Sequence, residues 1–296
     1  MSIQSAQTEA ENGATALLVR MSDFEKRAAM RIAEIMATIE TKGGKIVQSE
    51  ANLARVAGLI AEMQATFIDD EMVDAVSDYL ETFDAVGADV IAYMDGLGDL
   101  DTGLLEAVSR QYKQAMADYI LAPETYSGTL WQPVTNALLF SVASGALLSN
   151  TVRSVGTIVT GSTEADTQGA VTMETQGSVE STPTMLQRTQ TTIASDKLGV
   201  EFFRYQGRSI DTTRPFCKAR AGKVFHRKEI EEWGRRAAAG DGWDGMVEGT
   251  NAQSIFVYLG GWYGKSNNCR HVLVPLARRD VPREDLDRMA EMGLLG

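Results

Sequence analysis

The sequence predicts an α+β protein: a bundle or stalk of long helices in the N-terminal half, and a small α+β module near the C-terminal end. Three observations predict it. Apolar residues recur every three or four positions through the first half. The composition turns small and polar near residue 156. Short β-prone runs punctuated by glycine fill the last hundred or so residues. The implied parts are an acidic helical domain at 1–155, a polar linker or arm at 156–184, an α+β module at 185–276, and a polar helix or tail at 277–296. A chain of 296 residues is long enough for about two domains.

Each element has its own signal. Ala14, Leu18, Met21, Phe24, Ala28, Ile32, Ile35 and Ile39 form one stripe on a helix over 12–41, which Gly43-Gly44 should stop. A second helix is expected over 45–66. A third begins at Asp69-Asp70-Glu71, acids suited to a helix N-terminus, and runs to about Tyr93. Gly96 and Gly98 break it. Asp101 can cap a fourth helix, Gly103 to Leu121, which Pro123 ends. Another is expected from Trp131 to about Val155. The stripes suit an intramolecular core, or a seam joining copies of the chain. Residues 156–184 are rich in Thr, Gly, Ser and Gln, as an arm ordered only on a partner would be. A short helix follows at 185–198. Strands are expected at 200–205, 223–225, 255–259 and 270–274, with a helix at 227–239.

Charge is unevenly spread. Residues 1–150 hold 22 acidic and 9 basic side chains, whereas residues 201–296 hold 13 and 16. The acidic half should repel nucleic acid at long range. The basic end leaves room for DNA contact through Arg204, Arg208, Arg214, Lys218 and Arg220. Residues 1–16 carry no basic start and no apolar run of a secretory leader. The apolar stretch 137–148 is too short to span a bilayer. The expectation is a protein made in the cytoplasm, with no membrane partner, where a structural disulfide is disfavoured.

The scarce side chains gather at one end. The chain has two cysteines and two histidines: Cys217, His226, Cys269 and His271. Three uses compete. They can bind a structural zinc, although Cys-x8-His and Cys-x-His are not common finger spacings. Cys217 and Cys269 can face each other as thiols or as a disulfide. Or they are small buried thiols, with imidazoles satisfied by backbone carbonyls. A nucleophilic Cys–His pair would also need an orienting group such as Asp211, and no flanking motif of a thiol enzyme is present. Asp211 can hold its turn and form a bidentate pair with Arg270, tying two distant segments together. Trp233, Trp243, Trp262 and Tyr263 suit core packing or a partner surface. No phosphate loop and no carboxylate pair stands out, so neither a catalytic nor a cofactor-binding residue is assigned.

The spacing of these residues resembles the domain of phage Mu protein F-like minor head proteins. Asp211, Thr213, Cys217, Gly222, Lys223, Val224, Phe225, Asn268, Cys269, Arg270, His271, Val274 and Pro275 match its pattern, over roughly residues 183–276. Three features depart from it, the first being the acidic helical half, which the pattern does not predict. The segment between the halves is longer, and His271 stands where a third cysteine is usual. The resemblance implies a minor virion component that acts in head morphogenesis, associates with the portal vertex and can be packaged or ejected with DNA; the expectation is a non-enzymatic protein with portal or capsid proteins, or further copies of itself, as partners. Asp211, Gly222, Asn268 and Arg270 would be its structural motif residues.

Overall fold

A computed structural model of the chain describes residues 3–207, 209–261 and 269–295. Long helices dominate, with one three-stranded sheet toward the C-terminal end, the α+β class that the periodicity predicts. Two compact units emerge. The first comprises residues 13–80 and 115–176, the second residues 1–12, 81–114 and 177–296. They interleave along the chain, whereas the sequence suggested segments laid end to end. The reason is that helices α1 (Ile3–Met36), α3 (Asp70–Asp95), α4 (Gly103–Leu121) and α7 (Ala170–Lys197) each contribute residues to both units.

The first unit is helical. On α1 the buried stripe is Ala14, Leu17, Met21, Phe24, Ala28, Ile32 and Met36, close to the expected face. The helix ends at Met36, because Gly43-Gly44 turn a small hairpin, β1 (Thr41–Lys42) with β2 (Lys45–Ile46). Helix α2 (Glu50–Ala65) starts later than predicted, where the Ser49 hydroxyl accepts the Asn52 N–H. Phe67 lies at the centre of the core. Its ring meets Phe24, Tyr126 and Trp131 edge-on at 5.1, 5.7 and 4.8 Å. Asp69 accepts the Met72 N–H at the start of α3 and is gripped by Arg27 and Arg31.

The single helix expected over 131–155 is two, α5 (Gln132–Ser144) and α6 (Leu148–Thr160). Gly145 separates them at φ +63°, a left-handed cap that an L side chain resists.

The stretch expected as a polar linker is ordered secondary structure. It contains the end of α6, a hairpin of β3 (Gly161–Ser162) with β4 (Thr167–Gln168), and the first half of α7. Small hydroxyl side chains can sit inside this helix because they bond back to its own carbonyls. Thr175 donates to Val171, Ser181 to Gly177 and Thr192 to Arg188. Glu25, 2% exposed, accepts the Thr172 N–H and so caps the same helix.

In the second unit three antiparallel strands run in the order β6 (Val224–His226), β5 (Phe202–Gln206), β7 (Val272–Leu276). Register sorts the two faces. Phe203, Tyr205, Phe225, Leu273 and Pro275 share one; Phe202, His226, Val274 and Leu276 share the other. On the first face a core gathers Phe203, Tyr205, Phe216, Ile230, Ile255 and Leu273. Helix α8 (Pro215–Lys218), helix α9 (Arg227–Ala238) and the short helix α10 (Ile255–Tyr258) supply part of it. The run at 255–259 was expected as a strand. The run is too short for its residues to fix a period, and it winds into one helical turn.

On the second face helix α11 (Arg283–Glu291) buries Met289 with Phe202, Val224 and Leu276. Arg288 fastens it through Glu229 at 2.6 Å and the Val224 carbonyl at 2.9 Å. The C-terminal segment is therefore part of the unit. No helix among the described residues is long and apolar enough to cross a membrane.

Candidate functional site

Three of the four scarce side chains meet. Cys217 comes from α8, while Cys269 and His271 lead into β7. Their sulfur and ring-nitrogen atoms lie within 4.8 Å of one another, all buried. Cys217 Sγ stands 3.7 Å from Cys269 Sγ, and Cys269 Sγ stands 3.8 Å from His271 Nδ1. Both cysteines are free thiols. The alternation that puts Tyr205 and Leu273 on one face extends to His271, whose ring lies 5.2 Å from that of Tyr205. The Tyr205 hydroxyl donates to Cys217 Sγ at 3.2 Å.

His226 is not part of this group, contrary to the four-residue ligand set drawn from the sequence. Register places it opposite Phe202, on the other face of the sheet. Its ring packs edge-on against Phe202 at 5.5 Å, and its Nδ1 accepts the Lys228 N–H at the start of α9. Glu229 reaches back to the His226 N–H and completes a capping box. Burial lowers the His226 pKa, so the imidazole is neutral in this role.

Arg188 was missed by the sequence reading. It is 2% exposed and lies on α7. Its guanidinium donates to the carbonyls of Val257 (3.0 Å), His271 (2.6 and 2.9 Å) and Cys269. One side chain thus fixes the backbone of both residues that flank position 270. A signal existed: Arg188 is the one basic residue between Arg153 and Lys197, in a helix otherwise dressed with hydroxyls and amides. Gly260 was missed too. A β-carbon there would run into Cys217 Sγ, so the absence of a side chain lets the backbone close over the thiols.

The two thiols titrate as a pair. The hydrogen bond from Cys217 is the main reason Cys269 sits well below the ordinary thiol range; burial opposes it, and Arg188 and His271 assist. Cys217 moves the other way, first through that same bond and then through burial. The two thiols are therefore coupled, and the proton they share is favoured on Cys217 over Cys269.

The other motif residues have separate places. Gly222 adopts φ +81° and donates its N–H to the Tyr205 carbonyl at 2.8 Å. The proposed Asp211–Arg270 pair does not form. Residue 270 projects opposite to its two inward neighbours, and its guanidinium lies 3.5 Å from Glu11 and 3.4 Å from Glu180. Asp211 is exposed, and its carbonyl accepts Lys218 Nζ at 3.0 Å. Asn268, Trp262, Tyr263 and Arg208 lie outside the described residues. Trp233 and Trp243 pack on the core, with Trp243 stacked on Phe216 at 3.9 Å and Arg220 over both Phe216 and Trp233.

Comparison of the chain with protein-family models, curated proteins and solved structures gives no match. The chemistry open to the site follows from its atoms. Two sulfurs and an imidazole nitrogen converge in a buried core. They can take a soft metal ion, or the sulfurs can join as a disulfide.

Proposed function

We propose that this protein is a minor structural component of a tailed-bacteriophage head, acting in head morphogenesis at the portal or head–tail vertex. One observation carries the reading. Cys217 and Cys269 belong to the two halves of the phage Mu protein F-like pattern and stand 3.7 Å apart across 52 positions of chain. Closure of the halves on one sheet is what a genuine module of that pattern requires. A chance likeness of spelling gives no reason for it.

In this reading the acidic helices dock on portal or capsid subunits, or on further copies of the chain. The protein enters the virion after synthesis in the host cytoplasm. The site favours a structural role over catalysis, since Cys217, Cys269 and His271 are at most 9% exposed and a nucleophile must be reached by its substrate. A DNA-contacting role draws less support. Arg214 is bonded to the Gly260 carbonyl, Lys218 to that of Asp211 and Arg220 to that of Phe216.

Mass spectrometry of purified particles of the encoding phage, with density for this chain at the portal vertex, is the expected result. Particles that carry portal and capsid proteins but lack this chain would overturn the proposal.

A further inference from the structure

We infer that Cys217, Cys269 and His271 form a zinc site that staples the sheet unit. The geometry of the three donors carries the inference. Two sulfurs bound at about 2.3 Å to a tetrahedral ion stand about 3.8 Å apart, and a sulfur and an imidazole nitrogen about 3.6 Å. The distances here are 3.7 Å for the two sulfurs and 3.8 Å for Cys269 Sγ and His271 Nδ1. The third pair, Cys217 Sγ and the His271 ring nitrogen, lies within 4.8 Å, so an ion fits once these side chains draw together by up to about 1 Å.

A second observation points the same way. His271 is 4% exposed, and among the described residues its Nε2 has no hydrogen-bond partner. The Nδ1 contact is a 3.8 Å approach to sulfur, too long to repay the desolvation of an imidazole. A metal–nitrogen bond at Nδ1 would replace that weak contact and repay part of the burial of the ring, while Nε2 stays without a partner.

The surroundings are those of a supported ligand set. Arg188 locks the carbonyls of Cys269 and His271, which fixes the stretch that carries two ligands. The Tyr205 hydroxyl donates to Cys217 Sγ, an orienting contact of the kind that tunes metal sites. Zinc suits thiolate and imidazole together better than magnesium or calcium, which prefer oxygen donors. Three protein donors leave one position of a tetrahedron for solvent. Cys269 itself lines a narrow crevice with Glu180, Ser181, Thr184 and Arg188.

The test uses the full chain, purified from cells grown with added zinc and then dialysed. Elemental analysis is expected to find stoichiometric zinc. Cys217→Ser, Cys269→Ser and His271→Ala each lower the bound zinc by roughly tenfold or more, whereas His226→Ala retains it. Tyr205→Phe keeps the stoichiometry and weakens zinc affinity by about tenfold.

Because a ligand variant can fail to fold, the unmutated protein is also loaded with cobalt(II). A tetrahedral ligand-field spectrum with a thiolate charge-transfer band supports the site. Two titratable thiols with only trace metal would overturn the inference in favour of a bare thiol pair. No titratable thiol after unfolding in the presence of a chelator would overturn it in favour of a disulfide. Neither result depends on whether the protein occurs in phage particles.

Discussion

The two units bury different things. Around Phe67 the first unit encloses an apolar, aromatic core, and its polar groups are held mainly at helix ends, where Ser49, Asp69 and Glu25 meet backbone N–H groups. The second unit places a guanidinium, two sulfurs and an imidazole inside its core. A core of the first kind needs only the right volume in the right stripe. In the second kind every polar atom needs its partner, because one unmatched group can offset the gain from a buried side chain. The first design tolerates change in chemistry and resists change in size. The second should behave the other way round.

The largest expected effect tests the apolar side of that contrast. Phe67→Ala should cost about 3–5 kcal/mol, read from the midpoint of urea unfolding, because three aromatic neighbours lose their common partner. A loss below about 1 kcal/mol would mean that this core repacks freely.

Next is Arg188→Met, which preserves much of the volume and removes the donors. Each buried acceptor left unsatisfied costs about 1–3 kcal/mol, and three residues lend carbonyls to this guanidinium, so a loss of at least about 3 kcal/mol is expected. An Arg188→Met variant as stable as the parent would erase the distinction between the two units.

Acid titration sharpens the description of the first unit. Burial alone would raise the Asp69 pKa, but hydrogen bonds from Arg27, Arg31 and the Met72 N–H outweigh it and bring the carboxyl to about 2. Its folded pKa lies below its unfolded value near 3.8. The stabilisation is therefore complete above that value and is lost as pH falls through about 2. Asp69→Asn should flatten this acid limb. Glu25 carries the opposite sign. Burial raises its pKa against the Thr172 hydrogen bonds, so its contribution is present at low pH and declines as pH rises through the folded pKa. Unfolding curves of Asp69→Asn and Glu25→Gln across the acid range should diverge from the parent in opposite directions.

The smallest effect is expected at His226. Replacement by Ala removes the side-chain cap of α9 and should cost about 1 kcal/mol by chemical denaturation. A larger loss would place this histidine among the critical polar groups of the second unit instead of at a helix end.

The sequence reading succeeded where the physics is periodic. The α1 stripe, the bounds of α4 and the helix at 227–238 follow directly from apolar spacing and terminal residues. It failed where polarity was taken for exposure. Ser181, Thr182 and Thr184 are buried, and nothing in a composition count distinguishes a hydroxyl bonded to its own helix from one facing water. For the site, the scarcity of cysteine and histidine located the cluster. Its membership was decided by strand register, which a list of residue types does not contain. Arg188 lies 81 and 83 positions from the residues it holds, and no local pattern encodes such a distance.

That distance bears on where the unit can be cut. A gene fragment opening at the first strand, Phe202, would leave behind the guanidinium that grips Val257, Cys269 and His271. The smallest transferable piece must open upstream of position 188, within α7. A fragment opening before that residue should accordingly fold with its sulfurs in place, and one opening at Phe202 should not.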